Sequence, residues 1–180
     1  LPILQVENVP NDFLTGFSFS SKYFWTLDGF NHQFLFHELN TEHHVFKRVS
    51  TPGSKPVGLY FDGTDLWSMD GEKKLLYRHH ANDLEDIKEK YSLPKIELTA
   101  FAIQKNRLWI LNGKSRTLSV YRMEEPVKEL AAFDLDQFLL GATPTGLSVK
   151  GKTIWLSTDN PANLLKLTRN QLIKQKPDEF

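Results

Sequence analysis

Leu66-Trp67-Ser68-Met69-Asp70-Gly71 is the clearest of four versions of one phrase, the others being Phe24-Trp25-Thr26-Leu27-Asp28-Gly29, Leu108-Trp109-Ile110-Leu111-Asn112-Gly113 and Ile154-Trp155-Leu156-Ser157-Thr158-Asp159. All 4 tryptophans hold one position of the phrase, residues 25, 67, 109 and 155, at successive spacings of 42, 42 and 46. A fixed period in this range marks a repeat architecture whose units cannot bury their apolar faces alone.

Working outward, each phrase is preceded by a small residue and an alternating apolar stretch: Gly16-Phe17-Ser18-Phe19, Gly58-Leu59-Tyr60-Phe61, Ala100-Phe101-Ala102-Ile103 and Gly146-Leu147-Ser148-Val149. Period-two alternation predicts an inner strand with Phe17, Phe19 and their counterparts on a buried face. The small leading residue predicts backbone meeting backbone where strands converge on an axis. A polar turn links this strand to the tryptophan strand. A third strand follows at Phe34-Leu35-Phe36, Leu75-Leu76-Tyr77, Leu118-Ser119-Val120-Tyr121 and Leu164-Leu165-Lys166-Leu167.

Outer strands, charged as exposed edges are, are expected at Phe46-Lys47-Arg48-Val49, Lys88-Glu89-Lys90-Tyr91 and Val127-Lys128-Glu129-Leu130. Pro10, Pro52 and Pro94, again 42 apart, end the strands that precede them, since proline has no amide for a ladder. Residues 82–93 could also be read as an amphipathic helix with Leu84, Ile87 and Tyr91 on one face; the repeat register favours a strand.

Four strands in each of four units describe an all-β, four-bladed β-propeller occupying residues 1–180 as a single domain. Residues 1–9 are expected to close the last blade as its outer strand. The alternative source of that strand is residues 170–180.

The pattern resembles that of the propeller superfamily containing NHL repeats, streptogramin-lyase-like proteins and the gluconolactonase group. The resemblance rests on Pro56-Val57-Gly58-Leu59, Asp70 and Leu75-Leu76-Tyr77-Arg78 in the second unit, and on Pro144-Thr145-Gly146-Leu147 in the fourth. It implies a propeller of that type; the gluconolactonase-like enzymes hold a metal with acidic residues and an asparagine from different blades around the axis, and no matching set stands on the inner strands here. The unit count resembles that of hemopexin-like domains, but their Asp-Ala-Ala strand entry and cysteine bridge are missing.

Composition narrows the function classes. With 22 basic and 22 acidic residues there is no broad footprint for nucleic acid or an anionic membrane. No cysteine is present, which removes disulfides, thiolate metal sites and a thiol nucleophile. No run approaches the roughly 18 apolar residues of a spanning helix. A chain opening on Leu1 is expected to be a processed protein or an excised piece, and the reading leans to a periplasmic or secreted location, with the cytoplasm open.

The tryptophans read as core. Asp28, Asp70 and Asn112, each before glycine, read as turn formers. His37, His43, His79 and His80 could hold zinc or copper between adjacent strands, but are expected at exposed strand ends far from the axis. Thr15, Val57, Thr99 and Thr145 should face one mouth of the axial channel, where an ion or water could sit; no other cofactor is expected. The loops around that mouth carry Phe13, Phe30 and His32, and the insertion before unit four carries Phe133, Gln137 and Phe138, an apolar run outside the repeat of the kind that marks partner sites. The expected function is therefore a non-enzymatic binding or scaffolding propeller that presents this face to a protein or small ligand, as monomer or homodimer. The alternative is a metal-dependent small-molecule hydrolase or lyase. A further structural possibility makes the four units half of an eight-bladed ring of two chains, or part of a longer propeller.

Overall fold

The computed structural model describes residues 13–39 and 43–175. The first blade holds β1 (Leu14–Phe19), β2 (Tyr23–Asp28), β3 (Gln33–Glu38) and β4 (Val45–Ser50); the second holds β5 (Pro56–Phe61), β6 (Asp65–Asp70), β7 (Leu75–His80) and β8 (Asp83–Ser92). The third holds β9 (Ala100–Gln104), β10 (Arg107–Asn112), β11 (Thr117–Arg122) and β12 (Lys128–Asp134), and the fourth β13 (Thr143–Lys150), β14 (Thr153–Asp159) and β15 (Asn163–Thr168). Every strand pairs antiparallel with its chain neighbour within its blade. This is the four-bladed all-β propeller read from the repeat. Residues 83–92 are strand, as the register required.

The blades are joined by three apolar clusters, each built from the outward face of one blade and the inward face of the next. Trp25, Leu27 and Phe34 meet Leu59 and Leu66; Trp67, Met69 and Leu76 meet Phe101, Ile103 and Leu108; Trp109, Leu111 and Leu118 meet Val149, Ile154 and Leu167. Three of the tryptophans are almost fully buried, Trp25 at 0%, Trp67 at 4% and Trp109 at 2% exposed. Along the axis β1 packs on β5, β5 on β9 and β9 on β13. A Cβ on Gly16 would lie 2.8 Å from the Gly58 backbone, so the inner strands do meet backbone to backbone.

Two expectations need correction. Phe17 and Phe19 are 51% and 67% exposed rather than buried. Their counterparts Leu59 and Phe101 are covered by a preceding blade, whereas among the described residues no apolar cluster joins blade four to blade one. The described part of residues 170–180 does not supply the fourth blade's outer strand. A 3-10 turn, Arg169–Gln171, reverses the chain, Leu172 plugs into the third cluster, and β16 (Ile173–Gln175) pairs outside β12 of blade three. Blade four thus has three strands among the described residues, and the expected closure by residues 1–9 lies outside them. Among the described residues no helix is long and apolar enough to cross a membrane.

Candidate functional site

The mouth of the axis is built by a repeated irregularity. The β1–β2 register slips between Leu14 and Gly16, and the β13–β14 register between Pro144 and Gly146, so Thr15 and Thr145 are the extra residues of two bulges. A bulge bends its strand and re-aims the side chain it leaves unpaired. Thr15, Val57, Thr99 and Thr145 line one cavity of about 410 Å³, together with Phe13 and Lys55. Their convergence on one mouth follows the repeat register. The hydroxyls lean on their own blades: Thr15 donates to the Leu27 carbonyl at 3.3 Å, Thr99 accepts the Gly113 N–H at 2.8 Å, and Thr145 lies 3.2 Å from Ser157 Oγ.

Around this cavity stand the turns between second and third strands. Asp28 Oδ1 accepts the N–H groups of Phe30 and Asn31 at 2.9 and 2.8 Å. Asp70 does the same for Glu72 and Lys73 at 2.7 and 3.0 Å, and Asn112 for Ser115 at 3.0 Å. Burial works to raise the Asp28 pKa, but hydrogen bonds from the Asn31 side chain and the two amides hold it below the usual carboxylate range. These side chains are turn formers, as read. The fourth residue of each turn, His32, Lys74 and Arg116, has a left-handed backbone with φ of 53, 55 and 53°. His32 owes its place to that turn.

Phe13 is 59% and Phe30 76% exposed, and Leu14 beside them 48%. The insertion behaves differently. A short helix α1 (Asp136–Leu139) folds Leu135 and Leu139 into the third cluster, where Phe133 and Phe138 are partly buried; Gln137 is exposed and Leu140 is 88% exposed. Phe133 lines a separate cavity on the face of blade three, not the mouth.

Two of the histidines occupy another role from the one expected. His37 and His79 are 0% exposed. Their Nε2 atoms lie 2.8 Å from Thr26 Oγ1 and 2.9 Å from Ser68 Oγ, while their Nδ1 atoms lie 3.0 and 2.8 Å from the carbonyls of His43 and Leu84. A carbonyl can only accept, so Nδ1 carries the proton and Nε2 accepts from the hydroxyl. Both nitrogens of each ring are engaged by protein, because the connection to the outer strand folds back over them. His80 meets Asp86 at 3.2 Å, and His43 Nδ1 lies 3.4 Å from the Glu38 carbonyl. Among the described residues no group of three or more His, Asp or Glu side chains is placed to hold a metal.

The mouth can offer apolar contact, hydroxyls and one cation, Lys55, which reaches Glu97 at 3.3 Å. Among the described residues that line it there is no paired acid and base for proton transfer.

Neither a protein-family model nor a curated protein matches the chain. Solved structures do. Glutaminyl cyclase of Myxococcus xanthus is similar over 91% of this chain and 69% of its own, at 16% identity and a TM-score of 0.68. A streptogramin B lyase is similar over 94% of this chain and 56% of its own, at 13% identity and a TM-score of 0.62. The computationally designed protein Ika4 is similar over 91% and 95% of the two chains, at 14% identity and a TM-score of 0.56. The likeness is one of fold alone.

Proposed function

We propose that this propeller is a non-enzymatic binding module that receives a protein or small ligand on the loop face around its axial mouth. The observation that carries the reading is the pairing of a threonine-lined cavity with exposed Phe13 and Leu14 in its wall, and with exposed Phe30 next in sequence to Gly29 of that wall. Aromatic side chains standing in water at the edge of a pocket supply binding energy once covered. Thr15, Thr99 and Thr145 give the lining its hydroxyls, and exposed His32 and Gln137 stand on loops outside the cavity wall.

The test is peptide display against the native chain. Peptides that enrich should lose at least tenfold in affinity on Phe13→Ala or Phe30→Ala, about 1.4 kcal/mol, and none on Phe46→Ala at the edge of blade one, where Phe46 is 52% exposed. Peptides indifferent to both mouth substitutions would refute the reading.

A second reading, a metal-dependent hydrolase or lyase, is favoured by the likeness to a lyase and a cyclase. A divalent cation retained in equilibrium dialysis, and lactone or ester turnover that stops when it is removed, would replace the binding reading.

A further inference from the structure

At the end of the ring away from the mouth, the 42-residue register sets two pockets side by side for comparison. In blade two, Asp62 accepts the indole N–H of Trp67 at 2.8 Å, and the Arg78 guanidinium lies over that ring, 5.3 Å from its centroid. Arg78 is in turn held by Asp65 at 2.8 Å and Glu89 at 3.2 Å. The guanidinium in that pocket is matched by carboxylates on its own blade.

In blade three the positions of Asp62, Asp65 and Glu89 are Gln104, Arg107 and Ala131. A guanidinium again covers the indole, but it is Arg169, arriving from the turn after β15, 4.7 Å from the Trp109 ring. Gln104 is hydrogen-bonded to Arg169. Arg107 faces Arg122 across the β10–β11 pair, a like-charge juxtaposition that weakens a sheet. Lys105 completes the group lining a cavity of about 510 Å³, and Lys105, Arg107 and Arg169 continue with Lys152 into an adjoining one of about 360 Å³. No acidic side chain lines either cavity, and among the described residues none of these cations has an acidic partner.

Two donors in the first cavity are buried without a hydrogen-bond partner, Trp109 Nε1 and Arg169 Nε. Buried donors are costly to leave unmet. Burial, and then the field of Arg107, hold the Arg169 guanidinium below the ordinary arginine range. The remaining wall, Val120, Leu130 and Phe133 beside Trp109, is apolar.

We propose that this cavity binds a small phosphate ester carrying a flat apolar group, its phosphate held by Arg107, Arg122 and Arg169 and its apolar part laid against Leu130, Ala131 and Phe133. Guanidinium forks match phosphate oxygens two at a time. A doubly charged anion relieves the repulsion between arginines that the second blade relieves with its own carboxylates. The volume is that of a small-ligand site. The site lies at the other end of the strands from the mouth and stands whether or not the mouth binds a partner.

The experiment is calorimetric titration of the full chain at low salt with phenyl phosphate and, separately, inorganic phosphate. Phenyl phosphate should bind saturably at one equivalent, at least tenfold tighter than inorganic phosphate. Arg107→Asp, which restores the charge that blade two carries at Asp65, should weaken phenyl phosphate at least tenfold while thermal stability holds or rises. Arg122→Gln, at an exposed strand end, should weaken it in the same direction and serves if the first variant misfolds. Absence of saturable binding, inorganic phosphate binding as tightly as the ester, or variants that bind like the native chain would each overturn the proposal. So would a single-stranded oligonucleotide that displaces phenyl phosphate at lower concentration, which would make the cavity part of a nucleic-acid groove.

Discussion

His79 ties three strands together, accepting from Ser68 on β6 and donating to Leu84 on β8. Burial pushes its pKa down to about 4, with the Leu84 hydrogen bond opposing. The unfolded chain, with an ordinary histidine near 6.5, therefore binds the proton that the folded chain refuses. The stability held by the neutral ring is complete above about pH 6.5 and is lost as pH falls towards about 4, a loss of order 3 kcal/mol. Urea titrations across that range should show this decline, and His79→Gln, though weaker at pH 7, should show a flatter profile; parallel profiles would refute the assignment. The equivalence of His37 and His79 was legible from spacing. Their burial was not, because it depends on a connection folding back over the strand end, which no periodicity within a strand encodes. Trp67 was legible in full: a large apolar side chain at a fixed position between aliphatics has one economical place. Trp67→Ala should cost about 3–5 kcal/mol, read as a lower Tm, and an unchanged Tm would contradict its place between blades two and three.

The strands themselves followed from alternation and register, and the turns from Asp-Gly and Asn-Gly. The details that shape the mouth did not. The extra residues at Thr15 and Thr145 sit inside apolar stretches whose alternation reads smoothly past them, so a bulge is visible only once the partner strand is in place. The helix α1 lay hidden for another reason: four residues in an insertion are too few to show a helical period. At this scale the inner strands give the sharpest prediction. A methyl on Gly16 would press on the Gly58 backbone at 2.8 Å, and backbone packed on both sides cannot yield as a side-chain tip would. Gly16→Ala should lower stability by about 1–3 kcal/mol, the usual penalty of overpacking. The urea midpoint should fall with an unchanged slope; an unchanged midpoint would mean that the first two inner strands part easily.

For the molecule as a whole, the repeat predicts that what is built three times is wanted a fourth time. Each joint sets a tryptophan-bearing face against the inner-strand face of the following blade, and among the described residues the two faces left over are one of each kind. Blade four presents Leu164, 62% exposed, and a partly exposed Trp155 covered by Lys166, whose Nζ is 5.4 Å from the ring centroid. Blade one presents Phe17 and Phe19. These surfaces are counterparts of pairs that already pack within the chain, such as Trp67 and Met69 against Phe101 and Ile103. If a second copy covers them, blade four of each chain on blade one of the other, the arrangement closes on itself after two joints. Light scattering on the full chain should then give twice the 20.8 kDa chain mass. Phe19→Asp, which places a carboxylate in both joints and touches no internal cluster, should return a folded monomer with an unaltered far-ultraviolet spectrum. A native chain that scatters as a monomer at high micromolar concentration would rule the pairing out.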